Sequence, residues 1–165
     1  MDDMKKTVLI LAALATTAPA APLLARQPRP APVESITYEA GPCFGACPIY
    51  KVTVRSDGSA RFEGINFTTV RGVHEFRVTP AQYRTFAAHL APIRPARGSF
   101  DTNDTRCREM ITDLSSATVT WEGRRPTQRL HVYYGCDPRR NRAMAQKLIS
   151  APGLLPIGDF IGRQR

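Results

Sequence analysis

The segment Ser35-Ile36-Thr37-Tyr38-Glu39 alternates polar and apolar side chains and predicts a strand, which Gly41-Pro42 stops. Beyond a short cysteine loop, Tyr50, Val52 and Val54 alternate with Lys51, Thr53 and Arg55, the pattern of a strand with one buried face. Ser56-Asp57-Gly58 returns the chain. A three-residue loop there, with Gly58 in the left-handed conformation, sets Val54 opposite Ala60 and Val52 opposite Phe62. A two-residue Asp-Gly turn would put Val54 opposite Arg61 and mix core with solvent. The third strand changes parity, because Phe62, Ile65 and Phe67 are all apolar. A bulge at Gly64 would reconcile them, and a tight turn at Arg71-Gly72 would then pair Phe67 with Phe76 and Ile65 with Val78 in a fourth strand, Val73 to Val78.

Thr79-Pro80-Ala81-Gln82 has the form of a helix start, with Thr as N-cap, Pro in the first turn and Gln completing a capping box. Tyr83, Phe86, Ala87 and Leu90 follow at helical spacing, and Pro92 ends the run. Arg94 to Met110 shows no period and reads as a long loop. Ala117, Val119 and Trp121 then alternate with Thr118, Thr120 and Glu122, and Leu130, Val132 and Tyr134 recur at the same period of two after Arg124-Arg125-Pro126-Thr127. A four-residue loop would place Trp121 opposite Leu130, Val119 opposite Val132, and Glu122 beside Arg129 on the outer face. Asp137-Pro138 is expected to cap a second helix running to about Ser150.

The predicted fold is therefore α+β: an antiparallel sheet of about six strands in the order ββββ-α-ββ-α, with two helices packed on its apolar face, over residues 35–160. Phe62, Phe67, Phe76, Phe86, Leu90, Val119, Trp121, Leu130, Val132 and Leu148 form the expected core.

The segment before this domain has another character. Lys5-Lys6, the apolar run Val8 to Ala15 and Ala18-Pro19-Ala20 follow the order of a cleavable secretory signal over residues 1–20. The run is too short to span a bilayer, for which about 18 to 20 apolar residues are needed, so no membrane span is expected. No Cys lies near the cleavage region, which argues against a lipoprotein anchor there. Residues 21–34, rich in Pro, Ala and Arg, read as a disordered leader. Export to the periplasm or beyond follows. The net charge is +9, and Arg supplies 19 of the 23 basic residues. A codon-biased genome produces that skew without selection for binding.

All four cysteines, Cys43, Cys47, Cys107 and Cys136, follow the signal, and an even count in an exported chain reads as two disulfides with three possible connectivities. Cys43 and Cys47 enclose Phe44-Gly45-Ala46, and Gly45 allows a turn sharp enough for the roughly 4.4 to 6.8 Å Cα separation that a disulfide needs. Cys107 and Cys136 bracket the last hairpin, so the expected pairs are Cys43–Cys47 and Cys107–Cys136. A redox-active pair more often sits as C-x-x-C at a helix N-terminus, whereas this C-x-x-x-C enters a strand.

Pro42-Cys43-Phe44-Gly45-Ala46-Cys47-Pro48-Ile49-Tyr50 resembles the C-F-G-x-C-P-x-Y motif of an uncharacterised bacterial exported family, a domain of unknown function. Phe44, Gly45, Pro48 and Tyr50 form its loop. Asp57, Gly58, Gly64 and the helix from Thr79 to Leu90 continue the resemblance, which is looser from Thr112 onward. The family implies export and this strand order, and implies no activity.

Chemistry-bearing groups are sparse. His74, His89 and His131 are scattered without a second ligand at metal spacing, so neither a metal nor another cofactor is expected. Asp113 reads as a buried carboxyl bonded to backbone or to a tyrosine hydroxyl. There is no G-x-S-x-G, no H-E-x-x-H and no phosphate loop. Arg124, Arg125, Arg139, Arg140 and Arg142 make a candidate basic face, though without the interleaved aromatics of a nucleic-acid surface. The functional expectation is a non-catalytic envelope or secreted binding module, with an anionic envelope polymer or another exported protein as partner. The alternative is a periplasmic enzyme or thiol-redox protein using Cys43 and Cys47, or Asp113.

Overall fold

A computed structural model of the chain describes residues 32–103 and 107–162. The expected signal, residues 1–20, and most of the expected leader fall outside the described residues. Seven strands form one sheet: β1 (Ser35–Ala40), β2 (Ile49–Arg55), β3 (Ser59–Asn66), β4 (Gly72–Arg77), β5 (Ser99–Asp101), β6 (Ser116–Glu122) and β7 (Gln128–Tyr133). Their spatial order is β4-β3-β2-β1-β6-β7-β5, antiparallel throughout except that β5 runs parallel to β7. Helices α1 (Pro80–Leu90), α2 (Arg142–Ser150) and α3 (Gly158–Ile161) complete the α+β fold, with 3-10 turns after α1 and α2. Among the described residues there are thus one strand and one short helix more than the sequence pattern predicts.

One face of the sheet carries the core, with Ile36, Val52, Val54, Phe62, Val119, Trp121, Leu130 and Val132 buried against Phe86, Leu90, Leu148 and Ile157. The opposite face is polar, with a Thr37–Thr53 hydroxyl pair at 3.0 Å and exposed ion pairs such as Lys51–Glu39. The first hairpin has the expected register, Val52 opposite Phe62 and Val54 opposite Ala60, with Gly58 at φ 83°. Thr79 caps α1 in a reciprocal box, its hydroxyl accepting from the Gln82 N–H at 3.1 Å while the Gln82 side chain accepts from the Thr79 N–H at 2.8 Å.

Three expectations are corrected. After Gly64 the register does shift, since Tyr50 pairs with Gly64 but Ile49 with Asn66. Ile65 and Phe67 nevertheless stay 52% and 47% exposed, and β4 pairs Phe62 with His74 and Gly64 with Gly72 rather than Phe67 with Phe76. The cause is distant in sequence. The N–H groups of Thr69 and Val70 donate to the carbonyls of Ile161 and Phe160, while the Phe160 ring packs 5.5 Å from Phe62 and 5.6 Å from Phe76. Phe160 thereby takes the core position expected of Phe67.

The last hairpin pairs Trp121 with Gln128 and Val119 with Leu130, two residues from the expected register. A two-residue slip leaves every side chain on its predicted face, so Trp121 is buried either way. Gln128 is held in the core-facing position by the Arg94 Nε–H, which donates to its carbonyl, and by its own amide, which donates to Ala96 at 3.1 Å. The Arg94 guanidinium also lies 5.6 Å from the Trp121 ring.

Finally, Asp137 does not cap α2. It sits at φ 43°, and its carboxylate accepts from the N–H groups of Arg108 and Glu109 at 2.9 and 2.8 Å, while α2 begins later, after Asn141.

The disulfides join Cys43 to Cys47 and Cys107 to Cys136, the pairing read from the spacing. They close loops of sequence separation 4 and 29. On the chain-entropy model the longer contributes about 3 to 4 kcal/mol and the shorter about 2. A Cys107→Ser/Cys136→Ser variant should therefore lose more stability in denaturant titrations than Cys43→Ser/Cys47→Ser. The reverse order would show that the model misplaces the stabilising cross-link.

Candidate functional site at the disulfide end of the sheet

Both disulfides lie at the end of the sheet where β1 and β7 finish and β2 and β6 begin. The Cys43–Cys47 ring turns through Gly45 at φ 132° and leads by Pro48 into β2, not into a helix. It is docked by the Phe44 N–H, which donates to the Asp113 carbonyl at 3.2 Å, and by the Ser115 hydroxyl, which donates to Gly41 at 2.7 Å. The Phe44 side chain at its tip is 86% exposed.

The second disulfide clamps the 107–111 segment along the chain leaving β7. The Asp137 N–H donates to the Glu109 carbonyl at 2.9 Å, the Ile111 N–H to the Gly135 carbonyl at 2.9 Å, and the Tyr133 hydroxyl to the Ile111 carbonyl at 2.9 Å. Thr102, just past β5, is fully buried beside this bridge, with its carbonyl 3.4 Å from the Cys136 sulfur. Its hydroxyl accepts from the Tyr133 N–H at 2.9 Å.

Beside the Cys43–Cys47 ring the sheet end opens into a cleft of about 350 Å³. Its floor is three tyrosines, Tyr38 from β1, Tyr50 from β2 and Tyr134 just beyond β7. The Tyr38 and Tyr50 rings are stacked at 6.1 Å, and Tyr50 stacks on Phe62 at 5.4 Å. Cys47 and Pro48 form one wall, Ser115 and Ser116 another, and Ile149, Pro152 and Ile161 from the C-terminal helices the third. Burial pushes all three phenols above the ordinary tyrosine range. For Tyr38 and Tyr50 the neighbouring Tyr134 adds to the rise, while the hydrogen bond between Tyr38 and Tyr134 raises Tyr38 and partly offsets the rise at Tyr134. At neutral pH the cleft thus presents protonated hydroxyls.

The motif residues of the sequence converge here: Cys47, Pro48 and Tyr50 line the cleft, with Phe44 at the tip of the adjoining ring. Asp113 departs from expectation. It is exposed, at φ 68°, its carboxylate accepts from the Thr112 hydroxyl, and it does not line the cleft. The histidines are dispersed. His74 packs edge-on against Phe160 at 4.6 Å, His89 lies 2.9 Å from the Lys147 carbonyl, and His131 shares a 2.8 Å bond with Thr118 rather than facing Thr120. Among the described residues no three His, Cys, Asp or Glu side chains gather as a metal site.

The candidate basic face is two groups. Arg124 and Arg125 flank the Trp121 hollow at the far end of the sheet, whereas Arg139 and Arg140 join Arg108 around an open hollow of about 330 Å³, with Arg142 opening α2. The length of β7, about 3.3 Å per residue over six residues, separates them. The sequence pattern missed Arg108, because it enters only through the Cys107–Cys136 bond. It also missed Tyr38 and Tyr134, which alternation marks simply as strand positions facing the core.

The tyrosines set a pH dependence. A phenol whose native pKa lies above its unfolded value contributes stability that is whole below the unfolded pKa and lost as pH rises towards the native one. Unfolded tyrosines ionise near about pH 10, so stability should fall above that by roughly 1.4 kcal/mol per pH unit for each phenol still protonated in the native chain. Urea midpoints across this range should decline, and less steeply in Tyr50→Phe. Equal slopes in the two proteins would contradict burial of the Tyr50 hydroxyl.

Comparison with curated proteins returns no match. The two disulfides fit an oxidising compartment. No helix among the described residues is long and apolar enough to cross a membrane. The model of one family, a domain of unknown function (DUF6438), matches residues 34–152, from the residue before β1 to the turn after α2. With both disulfides and all three cleft tyrosines inside that span, the chain belongs to the DUF6438 family.

Proposed function

We propose that the chain is exported by its N-terminal segment, loses residues 1–20, and works in the periplasm or outside the cell as a non-catalytic binding module for anionic envelope material. The observation that carries the reading is the cluster of Arg108, Arg139 and Arg140. A disulfide and the spent carboxylate of Asp137 hold their backbones together, and among the described residues none of the three guanidiniums is ion-paired. Glu109 and Asp137 lie in the same hollow, so its net charge is modest, and Arg142 at the start of α2 adds to it. Unpaired guanidiniums are suited to phosphate and carboxylate groups, which they bind with two parallel hydrogen bonds. The disulfides and the order of basic, apolar and small residues at the N-terminus support an extracytoplasmic setting.

One fractionation tests the reading. The full chain expressed in its host should be recovered outside the cytoplasm with an N-terminus near residue 21, sedimenting with isolated envelopes at low salt and released as the Debye length shrinks from about 30 Å towards about 3 Å. Replacing Arg139, Arg140 and Arg142 with Gln should release it at lower salt. Retention that neither salt nor the triple variant alters would leave the arginines a solvated surface.

A further inference from the structure

The tyrosine cleft differs from the other hollows in its chemistry. None of its lining residues is charged, in a chain with 23 basic and 14 acidic residues. Four other hollows among the described residues each include at least two. An ion entering the cleft would lose hydration without gaining a counter-charge, so the site selects against charged groups. Its volume of about 350 Å³ is within the range of small-ligand sites, about 300 to 1,000 Å³.

The polar groups that do reach it are hydroxyls. Tyr38 and Tyr134 are partners of each other. Tyr50 is only 5% exposed, and its hydroxyl makes no hydrogen bond among the described residues yet is not sealed off, because no side-chain oxygen there is both buried and unpartnered. A protonated phenol at the edge of a cleft, with no acceptor of its own, is a donor awaiting one. The same cleft is lined by the apolar Pro152 and Ile161 with Ile149, which is 62% exposed.

We propose that this cleft binds an uncharged N-acetylated amino sugar, whose acetamido carbonyl accepts from the Tyr50 hydroxyl while its methyl group lies against Ile149, Pro152 and Ile161. An acetamido group sets an uncharged carbonyl and a methyl on a single carbon, and its amide oxygen is a stronger acceptor than that of an acetyl ester or ketone; the Ser115 and Ser116 side of the cleft suits ring hydroxyls. A peptide fits less well. β1 is paired on both sides, by β2 and β6, so it has no free edge to extend, and Pro48 has no N–H to offer. The site is separate from the arginine cluster and shares with the proposed function only its extracytoplasmic setting.

The test is a titration of the folded chain by amide NMR with the trimer of N-acetylglucosamine, with cellotriose lacking the acetamido groups, and with an uncharged N-acetyl dipeptide amide. The expected result is saturable shifts at Tyr50, Ser115, Ser116, Tyr134 and Ile149, unchanged between about 0.05 and 0.5 M salt. Cellotriose and the dipeptide should bind at least tenfold more weakly, about 1.4 kcal/mol. Tyr50→Phe keeps the ring stack on Phe62 and should keep the fold while losing affinity by a similar factor; Ile149→Ser, at the exposed rim, should weaken binding without affecting stability. The proposal is overturned by equal binding of cellotriose or the dipeptide, by unaltered affinity in Tyr50→Phe, or by no saturation up to about 20 mM. Shifts confined to Arg108, Arg139 and Arg140 and abolished by salt would overturn it too while supporting the arginine reading. Saccharide binding in a chain that envelopes do not retain would sink only the latter.

Discussion

The Cys107–Cys136 bond is the constraint on which the working end of the molecule depends. It ties the end of the long connection between α1 and β6 to the chain emerging from β7. With that distance set, Thr102 is buried beside the sulfurs, β5 gains a parallel partner in β7, and the carboxylate of Asp137 is positioned to accept from two successive backbone N–H groups. The 110–115 segment is then laced along Tyr133 to Cys136 and forms the shelf on which the Cys43–Cys47 ring rests. A covalent tie suits this job, because the segment offers little apolar burial of its own: Met110, Ile111 and Leu114 all remain substantially exposed.

The same tie places two unlike surfaces side by side. It gathers guanidiniums from residues far apart in sequence, and the segment it clamps leads into Ser115 and Ser116, which line an uncharged hollow floored by phenols. Burial, with the other tyrosines adding to it at Tyr38 and Tyr50, keeps those phenols protonated, whereas the open arginine hollow faces solvent, where attraction is long-ranged but screened. The Phe44 ring extends beyond both. It buries almost nothing, so the packing of the core gives no reason for an aromatic there.

Much of the fold was legible in the sequence, and the failures have identifiable causes. The first hairpin, the Thr79 cap and the core faces of β1, β2, β6 and β7 follow from local pattern, since alternation and capping involve neighbours in sequence. The two-residue slip of the last hairpin was invisible, because a period of two cannot distinguish registers that differ by two; Arg94 and Ala96, holding Gln128, decide it. Phe67 lost its core position to Phe160, which arrives from the opposite end of the chain. β5 is only three residues long and had no period to detect. The site was half legible. Cysteine spacing marked its anchors and the motif marked Pro48 and Tyr50, but the meeting of Tyr38, Tyr50 and Tyr134 is a product of sheet order, and Arg108 reaches Arg139 through a disulfide of sequence separation 29 and the hydrogen bonds to Asp137 beside it.

The most direct test of the idea that one cross-link assembles this end is amide hydrogen exchange on the full chain, oxidised and after reduction and thiol alkylation. The account predicts that Arg108, Glu109, Ile111 and Asp137, whose N–H groups donate within the clamp, lose protection on reduction while the amides shared by β2 and β3 keep theirs. Unchanged protection at those four amides in the reduced chain would show that the clamp stands without its disulfide, and would contradict the account.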